Sequence, residues 1–199
     1  MLIPDHVFFY HLANRPFPAG NFIRTREIFD YIGEPDVFHD VFGHVPMLTD
    51  PVFADYMQAY GRAGWKALKY NRLKALSALY WYTVEFGLIR EDDDIRAYGA
   101  GILSGPGESM FATEAQSPNR IHLDVDRVVR TDYVISDMQP TYFVIDSFEE
   151  LFAMTVERDF DELYQSLDPG FTYANQAVLA GDKVYHRGTQ EYANRGGRG

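Results

Sequence analysis

Two histidines and one isolated glutamate are the residues whose types and spacing could do chemistry in this chain. His39 and His44 bracket the stretch HDVFGH, five residues apart. A straight α-helix turns ~100° per residue, so such a pair diverges by roughly 140° and cannot grip one ion from a single face. Gly43 is read as the end of that helix, which frees His44 from the helical angle and lets it swing toward His39. The competing reading is two core histidines, each satisfied by a backbone carbonyl. Glu34 and Asp36 precede the pair and add negative charge nearby.

Glu85 lies inside ALYWYTVEFGL, where Thr83 is the only other polar, non-aromatic residue. A buried carboxylate without a partner costs several kcal/mol, so it requires a cation, a metal or strong donors. The last turn of a helix, where this residue is expected, also disfavours negative charge. Arg24 or Arg90 could supply the partner. Joined to His39 and His44, Glu85 instead completes a set of two histidines and one carboxylate. With open positions on the opposite face, that set suits Fe(II) and O2 chemistry. The same ligands around zinc would suit a hydrolase.

The elements that must position these residues can be read from pattern. A short helix opens at Ile3-Pro4-Asp5, with Phe8 and Leu12 on one face, and ends before Pro16 and Pro18. NFIRT reads as a short extended piece, followed by a helix over about 36–42 that stops at Gly43 and Pro46. Asp50-Pro51 caps and opens a helix to about Leu68. Leu73, Leu76, Tyr80 and Val84 define a further helix that ends at Gly87. Residues 97–107 read as a glycine-rich loop. RVVRTDYVIS and TYFVIDS alternate like short strands. Ser147, with Glu150 in a capping box, opens a helix to about Leu167. From Asp168 the chain reads as a polar, glycine-rich tail, loosely packed or frayed.

The totals set outer bounds. With 199 residues, 46% hydrophobic and 16% aromatic, one sizeable core is available and a single domain is favoured. A net charge of −11 argues against nucleic acid or an anionic membrane surface as partner. No apolar run approaches the ~20 residues of a membrane span, and the first residues carry no signal-peptide pattern. The absence of cysteine excludes disulfides and permits a reducing cytosol. A soluble, cytoplasmic protein is therefore expected.

Four segments make the reading specific: EPDVFHDVFGHVPMLTDPVFADY, ALYWYTVEFGL, YGAGILSGPGES and QPTYFVIDSF. Together they resemble the catalytic domain of the pterin-dependent aromatic amino acid hydroxylases, in order and with the family's spacings over about 2–165. The resemblance is strongest to the small bacterial phenylalanine 4-hydroxylases. It implies a mainly α (α+β) fold: one catalytic domain with a small β-sheet over 1–167, followed by the polar tail, 168–199. It implies a monooxygenase that uses Fe(II), a tetrahydropterin and O2 to hydroxylate an aromatic amino acid, most naturally phenylalanine to tyrosine. In that reading His39, His44 and Glu85 hold the iron and carry catalysis. Leu2, Ile3, Phe8, Asp40, Ser77 and Tyr80 face the pterin, with Phe8 as its stacking ring. Arg24 pairs with the substrate carboxylate, where a guanidinium fork fits a carboxylate bidentately. Trp81, Gly101 and Ser104 border the amino acid.

The family usually continues upstream of Met1, and only Leu2-Ile3-Pro4 of its pterin loop is present here. Weakened pterin binding is the expected consequence. Where relatives have two adjacent serines the chain reads Ser104-Gly105, Ser77 replaces a frequent alanine, and Pro18 replaces a position that is aromatic in some members. With no regulatory domain or tetramerising heptad helix, a monomer is expected. The alternatives kept open are a zinc-dependent hydrolase with the same ligands and an inactive, truncated hydroxylase. Gly99-Ala-Gly101-Ile-Leu-Ser-Gly105 mimics a dinucleotide fingerprint, but the preceding REDDDIRAY is too acidic for a buried parallel strand, and a nucleotide site is rejected.

Overall fold

The structure is a computed structural model that describes residues 3–26, 35–135 and 137–195. Helices cover both faces of a five-stranded sheet, with α5 and α6 residues on one and the larger helical cluster on the other, so the mainly α (α+β) expectation holds. The chain opens with α1 (Asp5–Ala13), introduced by Pro4. After Pro35 it enters the first π-helix (His39–His44), which runs without a break into α2 (Val45–Leu48). α3 (Pro51–Tyr70) follows, capped by Asp50, whose carboxylate accepts from the amides of Val52 and Phe53. α4 (Leu73–Tyr80) passes directly into the second π-helix (Trp81–Glu85).

The sheet orders as β2-β1-β4-β3-β5. β4 (Thr141–Ile145) is central and buried at all five residues. It pairs in parallel with β1 (Leu88–Glu91) and β3 (Asn119–His122). β2 (Asp94–Ala97) closes one edge as an antiparallel hairpin, and β5 (Val184–His186) closes the other against β3. Between β2 and β3 lie α5 (Ala100–Leu103) and α6 (Pro106–Glu114). α7 (Val125–Val128) precedes β4, while α8 (Phe148–Val156), α9 (Phe160–Ser166) and α10 (Glu191–Arg195) follow it.

Several expectations need correction. The helix carrying His39 does not stop at Gly43; it changes pitch and passes Pro46, which sits harmlessly in the first turn of α2. RVVRT is not a strand. Asp124 caps the start of α7 there, and only Thr131 bridges to Tyr173. The helix from Ser147 is interrupted, because Asp159 caps a new start at Phe160. The glycine-rich loop contains α5, and REDDDIRAY contributes an exposed edge strand. Between 169 and 195 the tail is not loose: β5 completes the sheet, and Arg127 pairs with Asp182 at 3.2 Å in a buried setting. Such pairings join residues more than fifty apart, so local composition carries no trace of them.

α1 brings Phe8 and Phe9 into the core by lying across α3. Phe9 meets Tyr60 at 6.0 Å between ring centroids, and Gln58 donates to the carbonyl of Ala13. The crossing is close enough that a Cβ on Gly61 would sit 2.4 Å from the Ala13 nitrogen. In an exposed helix interior, alanine in place of glycine gains up to about 1 kcal/mol. Here a backbone atom blocks the methyl, and overpacking of this kind costs about 1–3 kcal/mol. Gly61→Ala is therefore expected to lower the thermal midpoint, measured by calorimetry, despite its better helix propensity.

Candidate active site

Both candidate histidines and the glutamate lie on π-helices. In the first, the amide of Val45 bonds to the carbonyl of Asp40; in the second, the amide of Phe86 bonds to that of Trp81 at 2.8 Å. A turn closed over five residues stacks position i nearly above i+5, so His39 and His44 share one face. Their Nε2 atoms lie 3.1 Å apart. The carboxylate of Glu85 reaches His39 Nε2 at 3.4 Å through Oε2 and His44 Nε2 at 3.3 Å through Oε1. Thr83 supports the second π-helix: its hydroxyl bonds the Leu79 carbonyl at 2.5 Å and meets the Tyr56 hydroxyl at 2.8 Å.

Gly43 has a different role from the one its position suggests. It does not end the helix; it makes room for α5, since a Cβ there would lie 2.8 Å from the Ala100 side chain and 2.9 Å from its carbonyl. Gly99 does the same on the other side, where a Cβ would meet the Glu85 carbonyl at 2.3 Å. α5 is thus wedged between the two ligand-bearing turns. Ser104, at its end, places Oγ 2.8 Å from His39 Nδ1. The tautomer that donates from Nδ1 to this oxygen leaves the Nε2 lone pair facing His44 and Glu85.

These three side chains fit a metal ion. Ligand atoms ~2.1 Å from one ion lie roughly 3.0 Å apart at right angles and 3.4 Å apart at the tetrahedral angle, which brackets the spacings found here. Burial raises the pKa of Glu85, but the two imidazoles outweigh it and hold the carboxyl well below its usual range. Burial likewise opposes a charge on His39, yet the hydrogen bond and charge of Glu85 raise its pKa above the ordinary value. Charge thus accumulates where a cation would sit. The buried Nδ1 of His44 has no hydrogen-bond partner among the described residues.

A cleft of about 420 Å³ opens onto His44 and Glu85. Ile3, Phe8, Asp40 and Tyr80 line it, so four of the six residues expected to face the pterin share one cavity. Phe8 sets its ring edge-on to Tyr80 at 6.0 Å, and Asp40 accepts from the Gly20 amide at 2.5 Å. Ser77 is not on these walls; it hydrogen-bonds the Tyr133 hydroxyl. Leu2 and Glu34 lie outside the described residues.

The residues expected at the amino acid lie outside this cleft. Arg24 is buried against Asp36, with Nε 3.0 Å from Oδ2 and a terminal nitrogen 2.8 Å from Oδ1. Trp81 stacks on Tyr133 at 4.9 Å and meets Phe86 at 4.7 Å. Gly101 faces Phe86, and a Cβ there would fall 2.8 Å from that ring. The sequence reading gave Asp36 only as nearby negative charge, not as the partner of Arg24. Asp36 also accepts from the His39 amide at 2.9 Å, so one carboxylate ties Arg24 to the start of the first ligand helix. An aspartate three residues before a helical histidine is a helix-cap signal that could have drawn attention to it.

Two histidines and one carboxylate placed where they could share one metal ion, beside an aromatic-walled cleft in a mainly helical fold, are what these elements bring together. The model for biopterin-dependent aromatic amino acid hydroxylases matches residues 2–176, and the chain belongs to that family. It is 57% identical to the phenylalanine-4-hydroxylase of Caulobacter vibrioides over 99% of its length, and 55% identical to that of Ralstonia nicotianae over 96%. It spans 67% and 60% of those two proteins. The phenylalanine hydroxylase of Chromobacterium violaceum solved with iron and phenylalanine superposes with a TM-score of 0.86 at 50% identity. That match covers 92% of this chain and 66% of the other. A cobalt-bound form of the same protein gives a TM-score of 0.89 at 51% identity, with the same coverage.

The Arg24–Asp36 pair gives a pH-dependent expectation. The hydrogen bond from Arg24 holds the Asp36 carboxyl well below its usual range, against the opposing effect of burial. Its contribution is present above the unfolded value of about 3.9 and fades as the pH falls through the lower folded value. Asp36→Asn removes the charge opposite Arg24 and is expected to cost about 3 kcal/mol near pH 7. Urea denaturation of both proteins from pH 7 to pH 3 should show the difference shrinking below about pH 4.

Proposed function

We propose that this chain is a phenylalanine 4-monooxygenase, in which His39, His44 and Glu85 hold Fe(II) and the neighbouring cleft takes a tetrahydropterin. The observation that carries the reading is the convergence of those three side chains, two of which, His44 and Glu85, line a cleft walled by Phe8 and Tyr80. Bound there, ferrous iron beside a tetrahydropterin supplies the O2 activation that hydroxylation of an aromatic ring requires. The chain's own part is positional. Phe8 offers a flat ring for the pterin, with Ile3 and Asp40 on the surrounding wall. Ser104 fixes the ring of His39. On the other side Arg24, braced by Asp36, takes the substrate carboxylate, while Trp81, with Gly101 nearby, walls in the aromatic ring and keeps water from it. Residues 1–167 carry every candidate site residue, and the segment after them serves as a sheet edge. We take the protein as a cytoplasmic monomer acting in phenylalanine catabolism, a reading that its cysteine-free sequence fits.

The test is hydroxylation by the purified chain supplied with Fe(II), a tetrahydropterin and each aromatic amino acid. Tyrosine formed from phenylalanine, with matching O2 uptake, is the expected result. Activity with zinc alone and no O2 uptake would favour a hydrolase instead. Glu85→Ala is expected to abolish both stoichiometric iron binding and tyrosine formation, and full activity in that variant would sink the ligand assignment. Arg24→Lys keeps the charge but loses the planar fork, so KM for phenylalanine should rise about tenfold with a smaller change in kcat.

A further inference from the structure

Gln139 lies two residues before β4 and is completely buried. Its side chain uses both ends of its amide. Oε1 accepts from the indole nitrogen of Trp81 at 3.0 Å and from the Val134 amide at 3.4 Å. Nε2 donates to the carbonyls of Val134 at 2.7 Å and Asp137 at 3.0 Å. Its own backbone amide donates to Glu108 Oε1 at 3.3 Å, and the Tyr142 hydroxyl donates to the same carboxylate oxygen. Burial raises the pKa of Glu108 despite these two donors. The anchor thus sits in the loop ahead of β4 and is tied through Glu108 to α6 and to Tyr142 of the central strand.

The indole is held on three sides. Tyr133 lies over it at an interplanar angle of 25°, Phe86 meets it at 38°, and Gln139 takes its only polar atom. Stacking by itself lets a ring slide or turn within its plane, because an aromatic face is nearly uniform. A single hydrogen bond to the indole nitrogen removes that freedom. The side chain that supplies it also closes the turn after Tyr133, so one residue sets both the ring and the stacking partner above it. A buried amide of this kind is costly to disturb, since each lost partner leaves a polar atom unsatisfied.

We infer that Gln139 is a positioning residue for the aromatic substrate: it fixes the Trp81 wall and the Tyr133 turn, and thereby the space offered to the substrate ring. This rests on the reading of Trp81 as a wall of the amino acid site. Gln139 is not expected to touch the substrate or the metal, so its loss should act on substrate binding and selectivity more than on turnover.

The test uses Gln139→Met, which keeps length but removes both ends of the amide, and Gln139→Asn, which keeps the amide one methylene shorter. The chain has two tryptophans, so a Trp65→Phe background leaves Trp81 as the sole indole emitter. In the protein without iron or pterin, Gln139→Met should raise acrylamide quenching of Trp81 about twofold or more, with Gln139→Asn intermediate. With iron and tetrahydropterin supplied, KM for phenylalanine should rise about 2- to 12-fold while kcat stays within about twofold. The preference for phenylalanine over tryptophan should narrow with it. In a Trp81→Phe background, Gln139→Met should add little further change in KM. Unchanged quenching in both variants would overturn the inference, as would an equal KM increase with and without Trp81. If the parent chain hydroxylates no aromatic amino acid, the proposed function fails, and the quenching arm still decides whether Gln139 positions Trp81.

Discussion

The wedging of α5 between the two π-helices is the constraint on which the rest of the site depends. The separation of the ligand-bearing turns is set by what can pass between them. Only glycine at 43 and 99 lets the backbone of α5 lie against the backbone of both. That contact holds His39 and His44 on one side and Glu85 on the other, with ligand atoms 3.1–3.4 Å apart. Ser104, at the end of the same short helix, then lies where it can orient His39. Close packing, imidazole orientation and ligand spacing therefore have one cause. A methyl group at either glycine would push the ligand sets apart without altering any ligand.

Three carboxylates, Asp36 fully buried and Glu85 and Glu108 partly so, show how environment separates roles. Asp36 has a guanidinium and two backbone amides, and its carboxyl is held far down the pH scale. Glu85 has two imidazoles and is likewise kept ionised, facing the place where a cation would sit. Glu108 accepts, among the described residues, from a phenol hydroxyl and one amide, and burial wins, so its pKa rises. The first braces Arg24, the second faces the two imidazoles, and the third accepts from the Gln139 amide ahead of β4. The surroundings differ in consequence. The cleft beside His44 and Glu85 is walled by Phe8 and Tyr80, while Trp81 sits in an aromatic stack bonded to Gln139.

Much of this was legible in the sequence. The long helix capped by Asp50 and the central strand TYFVI follow local rules, and the structure carries both. The isolation of Glu85 among aromatics pointed to a charged partner, which the two imidazoles provide. What escaped was pitch. Apolar periodicity near 3.6 describes α4 well, yet nothing in that period announces the change to i→i+5 bonding at Trp81 or His39. Gly43 was legible as special and misread in purpose, because a glycine that stops a helix and one that admits a neighbour look alike in one dimension. RVVRT carried strand composition, but the Asp124 cap imposed a helix. The pairing of β5 with β3 and the reach of Gln139 to Trp81 join distant residues, and no local pattern encodes them.

A crystal of the chain loaded with Fe(II), or with Co(II) in its place, measured for anomalous scattering, tests the central claim most directly. The account predicts one strong peak about 2.0–2.2 Å from His39 Nε2, His44 Nε2 and a Glu85 oxygen, with α5 still seated between the π-helices. His122, Asp146 and Glu150 form the other cluster with ligand atoms within 4.8 Å of one another among the described residues. Arg90, 2.8 Å from Asp146, already occupies that carboxylate. A principal peak at that cluster, or one bound by fewer than all three of His39, His44 and Glu85, would contradict the account.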